Sequence, residues 1–107
     1  HKSRVIRIAD LEIDTGSHRV TRGGQEIILT PREYSLLESL AANQGRPLSR
    51  DVILQRVWMD DDSYSNTVDV HVGSLRKKID SGYEEKLIHT IHGIGYCLKR
   101  DTPEPKG

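Results

Sequence analysis

At 107 residues the chain is long enough for one small domain with a single modest core. It has no apolar run that would span a membrane and no leader pattern at its start, and its one cysteine permits no internal disulfide, so a soluble, cytoplasmic protein in a reducing compartment is expected. Sixteen basic and sixteen acidic residues cancel, an unusual balance for a partner of nucleic acid, yet the charges are sorted: Asp60, Asp61 and Asp62 gather in one stretch and Arg76, Lys77 and Lys78 in another.

In chain order, His1 to Arg4 is polar and reads as a linker or truncated end, ahead of a domain expected over residues 5–100. Ile6, Ile8, Leu11 and Ile13 alternate as in a strand, with a slip near Ala9-Asp10, and Asp14 to Ser17 supply turn residues. His18 to Arg22 makes a second short strand with Val20 inward. Gly23-Gly24 is a two-residue hairpin signal, and Gln25 to Leu29 continues the sheet. The domain thus opens with a small antiparallel meander.

Thr30-Pro31-Arg32-Glu33 starts the first helix, with Thr as N-cap, Pro at the first helical position and Glu closing a capping box. Tyr34, Leu36, Leu37, Leu40 and Ala41 supply its apolar face until Asn43-Gln44-Gly45 and Pro47 stop it. Pro47-Leu48 leaves room for one extended step. Ser49 then caps a second helix through Trp58 that buries Val52, Ile53, Val57 and Trp58 and depends on packing for its stability. Met59 to Ser65 is a polar, acidic loop, longer than the turn of a simple helix-turn-helix.

Asn66 caps the third helix, which runs to Asp80, with Asp69 adding negative charge near its start and Ser81-Gly82 ending it. Val68, Val72, Leu75 and Ile79 form one apolar stripe. The opposite side carries Asn66, Val70, Gly73 and Lys77, with Thr67 and Ser74 on one flank and Arg76 and Lys78 nearer the core edges. Small polar groups, a methyl-bearing residue and bases without an acid suit a DNA major groove, where amides read base edges and cations meet phosphates. Taken alone, this face reads equally well as a solvated surface.

Lys86 to Lys99 reads as a closing hairpin, with Leu87, Ile88 and Ile91 on the outgoing strand, Gly93-Ile94-Gly95 at the turn and Tyr96 to Leu98 on the return. Asp101 to Gly107, with two prolines, is expected to be a disordered tail. Several sharper chemistries fare worse than plain structural readings. His89, His92 and Cys97 on a two-stranded hairpin do not place three ligands tetrahedrally, and no metal or other cofactor is expected. Asp60 to Asp62 lack the Gly and terminal Glu of a calcium loop. Cys97, Tyr34 and Trp58 read as core, and His71, at the edge of the stripe, is either structural or a phosphate contact. No nucleophile, base and orienter come together, so the chain is not expected to be an enzyme.

Strands, three helices with the last one basic, and a terminal hairpin make an α+β winged helix-turn-helix order of elements. Specific stretches then carry a resemblance: Leu29-Thr30-Pro31-Arg32-Glu33-Tyr34-Ser35-Leu36-Leu37, Leu48-Ser49-Arg50 with Val57-Trp58, Thr67-Val68-Asp69-Val70-His71-Val72 through Leu75-Arg76-Lys77-Lys78-Ile79, and Thr90-Ile91-His92-Gly93-Ile94-Gly95-Tyr96. In these stretches the chain resembles the C-terminal effector domain of the OmpR/PhoB family of bacterial two-component response regulators. The resemblance implies a transcription factor's output domain, attached behind a receiver domain that a sensor kinase phosphorylates. It implies sequence-specific binding of double-stranded promoter DNA, with the third helix in the major groove and the hairpin, residues 87–99, as a wing at the minor groove. Tandem pairing on direct-repeat DNA and contact of the long loop, through Asp60, Asp61 and Asp62, with RNA polymerase follow in the same way.

Carried over position by position, Asn66, Thr67, Val70, His71, Ser74 and Arg76 match DNA-facing helix positions, and Thr90, His92 and Tyr96 match wing contacts. Two departures qualify this. His92 stands where the family commonly has Arg, replacing a permanent cation by a partly charged group, and Gly73 and Ser74 stand where several relatives carry bases. Base recognition is therefore expected to lean on Asn66, Thr67, Val70 and Lys77, with a shallow salt dependence. A protein-interaction module acting through the acidic loop, and recognition of double-stranded RNA, are the competing functions; the second suffers from the narrow A-form major groove.

Overall fold

The computed structural model describes residues 4–58 and 65–101, and for Ser65 and Asn66 the backbone only. The acidic residues Asp60 to Asp62 lie outside the described residues, as do most of the expected linker and tail. Four short strands open the chain: β1 (Val5–Ile8), β2 (Leu11–Asp14), β3 (Arg19–Arg22) and β4 (Gln25–Ile27). They pair antiparallel in sequence order, with Ile6 opposite Ile13 and Ile13 opposite Val20.

The stretch from Ile6 to Ile13 differs from the single slipped strand expected. It turns back on itself at Ala9-Asp10, where Ala9 takes φ 53, so that Ile8 faces Leu11 across a tight hairpin. His18, expected within the next strand, instead sits in the preceding turn at φ 61, and its ring stacks on Tyr34 at 4.2 Å. The fourth strand ends two residues early, leaving Ile28 74% exposed.

Helix α1 (Pro31–Ala42) starts at the expected capping box, where the Thr30 hydroxyl accepts from the Glu33 amide and the Glu33 carboxylate accepts from the Thr30 amide. A two-residue strand, β5 (Leu48–Ser49), precedes helix α2 (Arg50–Val57), whose Val52 amide donates to the Ser49 hydroxyl at 3.1 Å. Helix α3 (Ser65–Ile79) begins one residue before the expected cap. Asn66 is therefore inside the helix rather than capping it, and Asp69 falls beyond the first turn, which contains no acid. Strands β6 (Ile88–Ile91) and β7 (Gly95–Leu98) form the closing hairpin, and β7 also pairs with β5, giving the sheet order β5-β7-β6.

The expected stripe of α3 forms the centre of the core. Val68, Val72, Leu75 and Ile79 are fully buried among Leu36, Leu37 and Leu40 of α1, Ile53 of α2, Ile13 and Val20 of the meander, and Leu98 of the hairpin. Tyr34, Trp58 and Cys97 are buried as expected, whereas Val52 is only partly so. Arg22 is also in the interior, at 1% exposure. It donates to Asp10, to Asp80 and to the carbonyls of Ile79 and Glu85, and its guanidinium lies over the Tyr83 ring. Asp80 in turn accepts from the amides of Leu87 and Ile88. One buried ion pair thereby ties the meander, the end of α3 and the start of the hairpin together.

Candidate nucleic-acid interface

Because one side of α3 is sealed in the core, the other faces solvent, and its contents follow from helical spacing. Val70 is 66% exposed, and Gly73 and Lys77 are exposed beside it. Among the described residues no atom beyond the helix's own neighbouring backbone lies within 4 Å of where a Gly73 Cβ would stand, so the outward face is open there. Lys77 makes no hydrogen bond or ion pair among the described residues. Among the described residues nothing holds its ammonium away from an anion.

Thr67 and His71 sit on the flank toward α2. His71 Nδ1 lies 2.9 Å from the Thr67 carbonyl, and its ring meets Trp58 edge-on at 5.0 Å. With Nδ1 donating to that carbonyl, Nε2 is the ring atom left for an outside partner. The Trp58 ring is also approached by the Arg32 guanidinium, at 5.2 Å, while Arg32 donates to the Val57 carbonyl.

Ser74 and Lys78 turn toward α1. The Ser74 hydroxyl donates to Glu33 Oε2 at 2.6 Å and Lys78 Nζ donates to Glu33 Oε1 at 2.7 Å. Burial alone would push the Glu33 carboxyl up, but these two bonds, together with the Thr30 amide, outweigh it and hold its pKa down at about 2. Glu33 therefore does two jobs, closing the capping box of α1 and anchoring α3. Ser74, matched to a DNA-facing position, spends its hydroxyl inside the protein.

The hairpin is held against α3 at two points. Tyr96 is 5% exposed, and its hydroxyl donates to Asp69 Oδ1 at 2.5 Å, where Arg50 Nε also donates at 2.8 Å. The Tyr96 hydroxyl first and Arg50 second hold the Asp69 carboxyl below its ordinary range, while burial and then the hydrogen bond to Asp69 push the Tyr96 phenol up. Two turns further along α3, Arg76 donates through Nε to the Ile88 carbonyl at 3.2 Å and through Nη2 to the Thr90 hydroxyl at 2.6 Å. The guanidinium groups of Arg50 and Arg76 lie 5.3 and 5.5 Å from the centre of the Tyr96 ring.

At the hairpin apex, His92 and Ile94 are exposed, and the Ile94 amide closes the turn on the Ile91 carbonyl. Gly93 takes φ 77, a left-handed conformation that suits glycine. Sequence patterns alone point to neither Asp69 nor Arg50 as a brace for the hairpin, nor to the link from Glu33 to α3. Each rests on a contact between residues 19 to 45 positions apart, whereas caps and stripes are local signals. Among the described residues no group of three His, Cys, Asp or Glu is placed to hold a metal ion.

The sequence model of the family described as "Transcriptional regulatory protein, C terminal" matches residues 24–98. The chain belongs to this family. The Transcriptional regulatory protein CusR of Escherichia coli is 47% identical over 95 residues, which is 88% of this chain and 42% of CusR. The chain thus spans about two fifths of the length of the curated relatives it matches. Among solved structures, the Klebsiella pneumoniae RstA DNA-binding domain in complex with RstA box superposes with a TM-score of 0.78 at 31% identity, covering 92% of this chain and 98% of that one. DrrB, an OmpR/PhoB homolog from Thermotoga maritima, gives a TM-score of 0.81 at 30% identity, covering 89% of this chain and 44% of that one. The chain accordingly has the winged-helix fold of response-regulator DNA-binding domains such as that of RstA, in a family of transcriptional regulators. Among the described residues no helix is long and apolar enough to cross a membrane.

Proposed function

We propose that the chain binds double-stranded promoter DNA sequence-specifically, as the output domain of a two-component response regulator, with α3 in the major groove and the β6–β7 wing at the adjacent minor groove. The observation that carries this reading is the outward face of α3, where Val70, Gly73 and the unengaged Lys77 stand clear of the protein beside the hairpin. Asn66, Thr67 and Val70 are the candidates for base edges, Lys77 and His71 for phosphates, and Thr90 and His92 for the flanking groove. Ser74, Arg76 and Tyr96 support this surface through bonds made inside the domain.

The comparison with RstA bound to its box supports the docking mode. The larger size of the relatives supports a receiver domain elsewhere in the protein, regulated by a cytoplasmic phosphorylation relay from a sensor kinase. Tandem binding on direct repeats, and contact of Asp60, Asp61 and Asp62 with RNA polymerase, belong to the same proposal. Selection of bound duplexes from a random DNA pool, followed by titration of the recovered site at several salt concentrations, tests it. Salt-dependent binding is expected, and Lys77→Ala should reduce the log–log salt slope by about one. Absence of any selected motif, or equal affinity for a matched RNA duplex, would overturn the reading.

A further inference from the structure

Arg76 opens the basic run on α3, and by its place in that run it is a natural phosphate contact. Its hydrogen-bonding capacity is directed elsewhere. Nε and Nη2 both point along β6, to the Ile88 carbonyl and the Thr90 hydroxyl, two residues apart on one strand. Thr90 faces Tyr96 directly across the hairpin, and the same guanidinium lies 5.5 Å from the Tyr96 ring centre. A planar fork can hold a strand in this manner, whereas a lysine ammonium offers a point charge and no second fixed donor direction.

Tyr96 is gripped again by Asp69, seven residues earlier on α3 and so about two helical turns away. Two anchors separated along a rigid rod define an angle, where one would leave a pivot. We infer that Arg76 is a positioning residue that, together with Asp69, fixes the angle between the recognition helix and the wing, while Lys77 supplies the phosphate contact at this end of α3. The inference rests on the proposed DNA reading. It deepens that reading by giving the internal bonds of Arg76 a role and making the wing's groove register a property of the helix that carries it.

The test compares Arg76→Lys, Arg76→Ala, Thr90→Val and Lys77→Ala on two duplexes recovered by selection from a random pool, one with its wing-side flank and one truncated at the end of the helix contacts. On the flanked duplex Arg76→Lys should lose affinity on the order of tenfold, nearly as much as Arg76→Ala, with the salt slope unchanged. On the truncated duplex the loss should disappear. Arg76→Lys should cost clearly less in a Thr90→Val background than in wild type, because the Arg76–Thr90 bond is already broken there, and full additivity of the two losses would count against the positioning role. Lys77→Ala should lower the slope by about one on either duplex.

Rescue of affinity by lysine at position 76, or a slope that falls by about one in Arg76→Ala, would make Arg76 a phosphate contact and overturn the inference while leaving the DNA reading intact. A DNA-free measurement separates the two further. Residual dipolar couplings of the β6 and β7 amides, referred to those of α3, should shift in Arg76→Lys, and couplings identical to wild type would sink the positioning role even if no duplex bound.

Discussion

A methyl group added at Gly95 has nowhere to go. An ideal Cβ there would stand 2.0 Å from the Leu48 carbonyl oxygen and 2.9 Å from both the Leu48 carbonyl carbon and the Ser49 Cα. An ordinary carbon–oxygen contact is about 3.3 Å, so β5 must retreat by more than an ångström. What retreats is backbone, with no side chain to rotate away. Both β5–β7 pairs, Leu48 with Tyr96 and Ser49 with Gly95, lie at this contact, and the Ser49 hydroxyl caps α2. Overpacking against backbone costs roughly 1–3 kcal/mol and loss of a cap about 1 kcal/mol, so Gly95→Ala should destabilise the domain by about 3 kcal/mol. For a domain of this size that lowers Tm by about 12–24 °C.

The same substitution at Gly73 should act with the opposite sign. That glycine lies inside α3 with open space around it, so alanine should stabilise by about 1 kcal/mol and raise Tm by about 4–8 °C. Thermal melts followed by far-ultraviolet circular dichroism on the two variants and wild type read both effects. If Gly95→Ala melted within about 3 °C of wild type, the close approach of β7 to β5 would be wrong, and with it the account of how α2 is started.

Three other perturbations have definite outcomes. Because Glu33 has its pKa held at about 2 against an ordinary value of 4.5, its stabilisation is fully present above about pH 4.5 and is lost as pH falls toward and below 2. Glu33→Gln should therefore cost up to about 3 kcal/mol at neutral pH and flatten the acid limb of a urea stability profile, and an unchanged acid limb would contradict the Ser74 and Lys78 anchoring. Arg22→Leu leaves the buried carboxylate of Asp80 without its cation, so urea unfolding should show a loss of about 3–5 kcal/mol; less than about 1 kcal/mol would mean the ion pair does not join the meander to α3. Burial pushes the Cys97 thiol up, so Ellman's reagent should label it only when urea opens the domain, and rapid labelling of the folded chain would contradict the packing of β7.

The helices were legible because their signals are local. Thr30 and Glu33 are three residues apart, and the Val68, Val72, Leu75 and Ile79 stripe repeats at helical spacing, so each declares itself without knowledge of the rest. The meander was legible as a class but not in detail. The hairpin between β1 and β2 turns on Ala9, a residue with no turn preference, and only the break in alternation betrays it. Arg22 sits two residues after Val20 and so shares its inward face, yet its burial depends on Asp80, 58 positions away, which no periodicity announces. The candidate interface divides the same way. Val70, Gly73 and Lys77 are outward for reasons of helix geometry alone, whereas Ser74, Arg76 and Tyr96 match DNA-facing positions in the motif and spend their polar groups on Glu33, Thr90 and Asp69.

The neighbouring pair Gly73 and Ser74 also bears on how this helix can change its target over evolutionary time. A base introduced at position 74 arrives beside the buried Glu33 carboxylate, which would compete for it with any DNA and displace Lys78 from its partner. At position 73 a Cβ meets no atom within 4 Å among the described residues, and leaving glycine strengthens the helix. On the proposed reading of α3, a new operator is thus one step away at Gly73 and at least two at Ser74.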